Sequence, residues 1–169
     1  MTISMYQASV PVFQKSLTSL KGVLAKGAAH ALEKKIDESV FLGSRLYPNM
    51  FPLGKQVQIA GDFGKGPVAR LAGVELPKYE DIETSFAELA GRIDKTLAFI
   101  ATFTPAQIDG QEDRDISLTI GGNPVAFKGQ PYLLHFALPN FYFHMSMAYA
   151  ILRAKGVPIG KTDLFPKGL

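Results

Sequence analysis

The chain contains no cysteine. That excludes a disulfide framework, a thiolate metal site and a cysteine nucleophile. It also lacks a long uncharged apolar run. The longest candidate, residues 132–152, carries two histidines, an asparagine and a proline, with tyrosine and serine adding further polar groups. Such a segment does not suit a bilayer span. The first residues, MTISMYQASVPVFQKSL, show no basic stretch followed by a continuous apolar one. No secretory signal is expected, and the expectation is a cytoplasmic protein. Charge of one sign is scarce: 18 Lys and Arg oppose 15 Asp and Glu, a formal +3. The densest basic cluster is Lys34-Lys35. With no basic stripe interleaved with aromatics, neither nucleic acid nor a membrane is an expected partner. Zincin, Walker, nucleophile-elbow and dinucleotide signatures are absent. The glycine-rich GDFGKG at 61–66 lacks the Walker spacing and follows no strand.

What is present is helical periodicity. At 169 residues, the chain suits one domain with a sizeable core, spanning 1–169. Ile3, Tyr6, Val10, Phe13, Leu17, Leu20 and Leu24 recur at spacings of three and four. They predict an amphipathic helix over 3–26, kinked or restarted at Pro11. Residues 28–37 predict a short polar helix, with His30 at the surface. A second long helix is predicted from Pro52 to Ala72, with Gly73 just past its end. Gly54, Gly61, Gly64, Gly66 and Pro67 make it a weak helix that needs a close neighbour or a ligand. A third long helix covers 82–103, with Thr84 as its candidate cap and a core stripe of Phe86, Leu89, Ile93, Leu97 and Ile100. Period two then takes over at 115–128. Ile116, Leu118 and Ile120 alternate with polar residues, and Gly121-Gly122-Asn123 form the turn of a β-hairpin. Residues 129–158 predict a long apolar helix, with Pro131 near its start and Gly156 at its end. The expected fold class is all-α: a four-helix bundle with a small hairpin between its third and fourth helices.

The last helix holds the most telling polar residues. Asn140 and His144 are four apart and share one face. An unpaired buried amide or imidazole is costly, so the pair needs partners. On the second long helix, Gln58 and Asp62 also share a face, and a bundle can bring Asp62 opposite His144. An Asp–His contact in a cleft can serve acid–base chemistry, a metal or structure alone. His135 is nine residues from His144 and projects to the opposite side of a straight helix. Aromatic residues cover the last helix almost all round, which predicts a homodimer that buries its outer face.

The segments QVQIAGDFGKGPVARLAG (56–73), IDGQEDRDISLTIGG (108–122) and YLLHFALPNFYFHMSMAYAILRAKGV (132–157) resemble a family of unknown function. It is grouped with the DinB/YfiT-like four-helix bundles, and the resemblance spans nearly the whole chain. LLHFALPNFYFH and FKGQ are its most specific motifs. The resemblance implies a three-histidine metal site. One histidine comes from the second helix and two from an HxxxH pair in the fourth. Here His144 matches the second histidine of that pair, and Asn140 stands at the first. The second-helix position falls near Asp62, with Gln58 one turn earlier as the other option. One imidazole therefore remains, and the metal site is expected to be degenerate.

The expected function is a small-molecule-binding or enzymatic cleft between the second and fourth helices. His144 and Asp62 would act in it, and Gln58, Asn140 and Tyr6 would contact the ligand. One alternative is a divalent-metal enzyme (Zn, Ni, Fe or Mn) of the thiol-dependent transferase or hydrolase type, with His144, Asp62 and Asn140 as ligands. The other is a structural homodimeric module without catalysis.

Overall fold

A computed structural model describes residues 2–165. Its long helices are α1 (Val10–Lys34), α3 (Leu53–Ala72), α4 (Phe86–Ile100) and α7 (Leu138–Ala154). Short helices lie between and after them: α2 (Glu38–Leu42), α5 (Pro105–Ile108), α6 (Gly129–Pro131) and α8 (Lys161–Leu164). Strands β1 (Asp115–Ile120) and β2 (Asn123–Lys128) form the hairpin. The long helices pack in the ring order α1, α4, α3, α7, so α3 and α7 lie side by side. The four-helix bundle and its hairpin insert stand as the periodicity predicts.

α1 starts later and ends later than expected. Pro11 lies in its first turn, where the missing N–H has no helical partner to lose. The residues before it form turns, held by the Ser9 hydroxyl, which donates to the Met5 carbonyl at 2.7 Å. The apolar stripe continues through Gly27 and Ala31, so the predicted polar helix at 28–37 is the last part of α1. His30 there packs edge-on against Phe41, with ring centres 6.0 Å apart.

Close neighbours explain two of the glycines of α3, whereas Gly54 and Gly61 have room for a Cβ. A Cβ at Gly64 would lie 2.8 Å from Leu17 Cδ1, so this glycine lets α1 approach. A Cβ at Gly66 would lie 2.5 Å from Arg70 Nη1, so that glycine leaves room for a folded-back guanidinium. Gly73 closes the helix in the left-handed region at φ 69°, as a C-terminal glycine should.

The cap of α4 is Ser85, not Thr84. The Ser85 hydroxyl accepts from the Glu88 N–H at 3.1 Å, and Glu88 accepts from the Thr84 N–H at 2.6 Å. The serine–glutamate spacing of three is thus a capping arrangement displaced by one residue from the expected threonine.

The last helix is not continuous. Residues Tyr132–Ala137 form a π-helical stretch between α6 and α7. Pro139 offers no N–H to the His135 carbonyl, which breaks the α-helical ladder there. The Asn140 side chain donates to the next carbonyl, that of Phe136, at 2.7 Å. The wider turns leave His135 exposed while Tyr132, Leu133 and Ala137 enter the core. The hairpin folds back over this stretch: Phe127 packs on Tyr132 and Phe136, at ring distances of 5.8 and 5.2 Å.

Candidate functional site

The expected Asp62–His144 pair does not form. His144 is buried on α7, and its Nδ1 lies 2.7 Å from Gln56 Oε1. The Gln56 amide nitrogen donates to the Phe51 carbonyl at 3.3 Å. A carbonyl can only accept, so the amide oxygen faces the imidazole and Nδ1 carries the proton. Phe63 stacks on the ring at 6.0 Å, and Phe143 meets it edge-on at 5.1 Å. Burial disfavours the charged imidazole and lowers its pKa below the ordinary 6.5. His144 is therefore a neutral side chain held by an amide.

Asp62 belongs to a different cluster. Its carboxylate lies 2.8 Å from Lys65 Nζ and 3.2 Å from Arg92 Nη2. Arg92, on α4, is only 3% exposed. It also bonds Asp81 and Glu83, each at 3.0 Å, and the Glu80 carbonyl at 2.9 Å. Gln58 faces this cluster too, donating to Glu83 at 2.8 Å. Gln56 and Gln58 are two residues apart, roughly 200° around a helix, so only one of them can face His144. Burial alone would lower the pKa of Arg92. The hydrogen bond that Arg92 donates to Glu83 and the charges of Asp62, Glu83 and Asp81 reverse that and raise it. Burial would likewise raise Glu83, but the bonds from Gln58 and Arg92 hold it below the ordinary carboxylate value.

The other expected site residues separate as well. The Asn140 side chain donates to its own helix at Phe136. The Tyr6 backbone N–H donates to Asp109 at 2.7 Å, and Tyr6 is not among the residues around the cleft described next.

A cleft of ≈ 610 Å³ opens between α3 and the π-helical start of the last helix. Asp62, Phe63, Lys65 and Arg70 line one side, and Tyr132, Phe136 and Asn140 the other. Leu76 and the hairpin residues 118–121 cover it. Of the expected residues, Asp62 and Asn140 reach this cleft, whereas His144 lies behind Phe63. Lys65, Arg70, Tyr132 and Phe63 were not anticipated. A smaller hollow of ≈ 470 Å³ is lined by Tyr79, Glu83 and Arg92, whose charged groups already bond each other.

The residues do not fit a metal. The imidazole is bonded to Gln56, Asp62 is bonded to two cations, and Asn140 caps a carbonyl. Among the described residues, no group of three or more His, Asp or Glu is placed to hold an ion. An amide and a lone imidazole are a poor donor set for Zn, Ni or Fe.

The bundle and its hairpin define a protein of DinB type. The fold matches the crystal structure of a DinB family member protein from Shewanella denitrificans, with a TM-score of 0.87 and 38% identity. The match covers 96% of this chain and 92% of that one. The profile of the domain of unknown function DUF1993 matches residues 5–165, and the chain belongs to that family. No curated protein matches the chain significantly. Among the described residues, no helix is long and apolar enough to cross a membrane.

The pKa directions predict acid unfolding in two steps. Below about pH 6.5 the unfolded chain protonates at His144 while the folded ring resists, so stability falls. Glu83 and Asp81 have lowered folded values, so their contribution is present above the ordinary carboxylate range and lost below it. Thermal melts between pH 8 and pH 3 should show both steps, and His144→Gln should lose the first. Identical profiles for the two proteins between pH 7 and pH 5 would contradict this assignment.

Proposed function

We propose that the cleft between α3 and the last helix binds a small molecule. The supporting observation is its composition: a few convergent polar groups set in apolar and aromatic walls. Phe63, Phe136, Leu76 and Leu118 supply the walls, and Asp62, Lys65, Arg70 and Asn140 the polar groups. Its volume lies within the range of ordinary ligand sites. Lys65 is 4% exposed, and its ammonium lies 4.7 Å from the centre of the Tyr79 ring, so one polar wall is fixed before any ligand arrives. Asn140 donates to Phe136 through its nitrogen and leaves its side-chain oxygen to accept from a ligand.

Binding fits this geometry better than acid–base catalysis by Asp62 and His144. The carboxylate is neutralised by two cations, and the imidazole is separated from the cleft by Phe63. A divalent-metal enzyme finds no donor set here. Neutral bicyclic aromatics, with 2-naphthamide as the lead probe, suit the Phe63 and Phe136 walls. In an NMR titration, 2-naphthamide should shift the resonances of Leu76, Leu118 and Phe136. Leu118→Trp, which fills the cleft, should abolish those shifts. Shifts that persist in Leu118→Trp, or no shifts with either 2-naphthamide or its carboxylate analogue, would refute the reading.

One observation also supports the homodimer. Leu134, Tyr142 and Phe143 point outward from the last helix and are 40, 40 and 50% exposed. Large apolar side chains left exposed on a helix are commonly covered by a partner. Light scattering coupled to size exclusion at micromolar concentration should give twice the chain mass. A clean monomer would rule the dimer out.

A further inference from the structure

Among the described residues, the cleft carries one cation with no carboxylate partner. Around Arg92, three carboxylates, Asp62, Asp81 and Glu83, face three cations, Lys55, Lys65 and Arg92. That set is balanced. Arg70 stands outside it. It is half-buried and lines the cleft, and its Nη1 donates to the Tyr132 hydroxyl at 3.1 Å. The phenol is neutral there: burial raises its pKa, although the nearby Arg70 charge opposes the shift. Among the described residues, Arg70 makes no ion pair. Asp62, the one carboxylate lining the cleft, is already shared between Lys65 and Arg92. The C-terminal end of α3 offers Arg70 a partial negative field, which favours a cation there without neutralising it.

We infer that the ligand of this cleft is an apolar, ring-bearing monoanion whose carboxylate is held by the Arg70 guanidinium. The inference rests on the reading of the cleft as a small-molecule site. A guanidinium presents a planar fork of donors that matches a carboxylate. A single surplus positive charge suits one negative charge better than the nearly two of a phosphate monoester. The rings of Phe63 and Phe136 and the side chains of Leu76 and Leu118 would receive the apolar body. Gly66 is part of the site through its absent side chain. A Cβ there would lie 2.5 Å from Arg70 Nη1 and push the guanidinium from its place.

The test compares 2-naphthoate with its neutral isostere 2-naphthamide, and with 2-naphthyl phosphate, by calorimetry or NMR titration of the full chain. The naphthoate should bind about tenfold more tightly than the amide, the scale of a charge-assisted bond. The phosphate should bind no better than the naphthoate. Arg70→Gln should bring naphthoate and naphthamide to parity. Gly66→Ala keeps the charge but displaces it, and should weaken naphthoate alone. Thermal melts of both variants check that the fold is kept. If naphthoate and naphthamide bind equally in the unaltered protein, the anion assignment fails and the cleft reading stands. A preference for the phosphate overturns the carboxylate assignment. A preference for naphthoate that survives both substitutions overturns the role of Arg70. If none of the three probes binds, the cleft reading fails and this one with it.

Discussion

Arg92 is the interaction on which the site side of this molecule depends. The stretch after α3, residues 74–85, has no regular secondary structure. A connection of that length inside a bundle needs something to hold it. Its Asp81 and Glu83 carboxylates and its Glu80 carbonyl all converge on one guanidinium buried on α4. The same guanidinium reaches Asp62 on α3, and Glu83 also accepts from Gln58 on α3. The loop is thereby fixed against both helices at once. Tyr79 of that loop lies over Lys65, and Leu76 lines the cleft. A guanidinium serves here better than an ammonium, because its donors diverge in a plane and can meet several acceptors. Only its Nε is buried without a partner. Breaking such a buried ion cluster from one side is strongly destabilising, since charges are left unpaired.

The comparison with DinB-type structures gives the fold without giving the chemistry. This chain ties the His144 imidazole to the Gln56 amide. Its charged groups have gathered a short distance away, around Arg92 and along α3. The neutral His144 fills the interior between Phe63 and Phe143, while the cleft beside it is lined by Asp62, Lys65 and Arg70.

Much of the fold was legible because it rests on local signals. The stripe of α1, the boundaries of α3 at Pro52 and Gly73, and the Gly121-Gly122 turn all follow from spacing and backbone preference. The π-helical stretch was not legible, because Pro139 allows either a kink or a widened turn and packing by Phe127 decides. The site was only partly legible. Helical phase shows which residues share a face, but not which face meets which across a bundle. Asp62 was expected opposite His144, yet Gln56 meets the imidazole and Asp62 pairs with Lys65 and Arg92. A signal for Arg92 did exist: it sits three residues after Leu89 and four before Thr96, on the buried stripe of its helix. A charged residue in that phase announces a buried ion cluster. Lys65 carried a similar mark, lying between Gly64 and Gly66 on a helix whose glycines are there for close packing.

The most direct test of the role of Arg92 is the backbone order of residues 74–85, measured by nitrogen-15 relaxation. The double variant Asp81→Asn, Glu83→Gln removes the two loop carboxylates that pair with Arg92 while Arg92 keeps Asp62. In the unaltered protein the segment around Glu80–Glu83 should be as rigid as the helices, with order parameters of about 0.85. In the variant they should fall below about 0.6, with α1 and α7 unchanged. Equal order in both proteins would show that the loop is held by something other than the buried guanidinium.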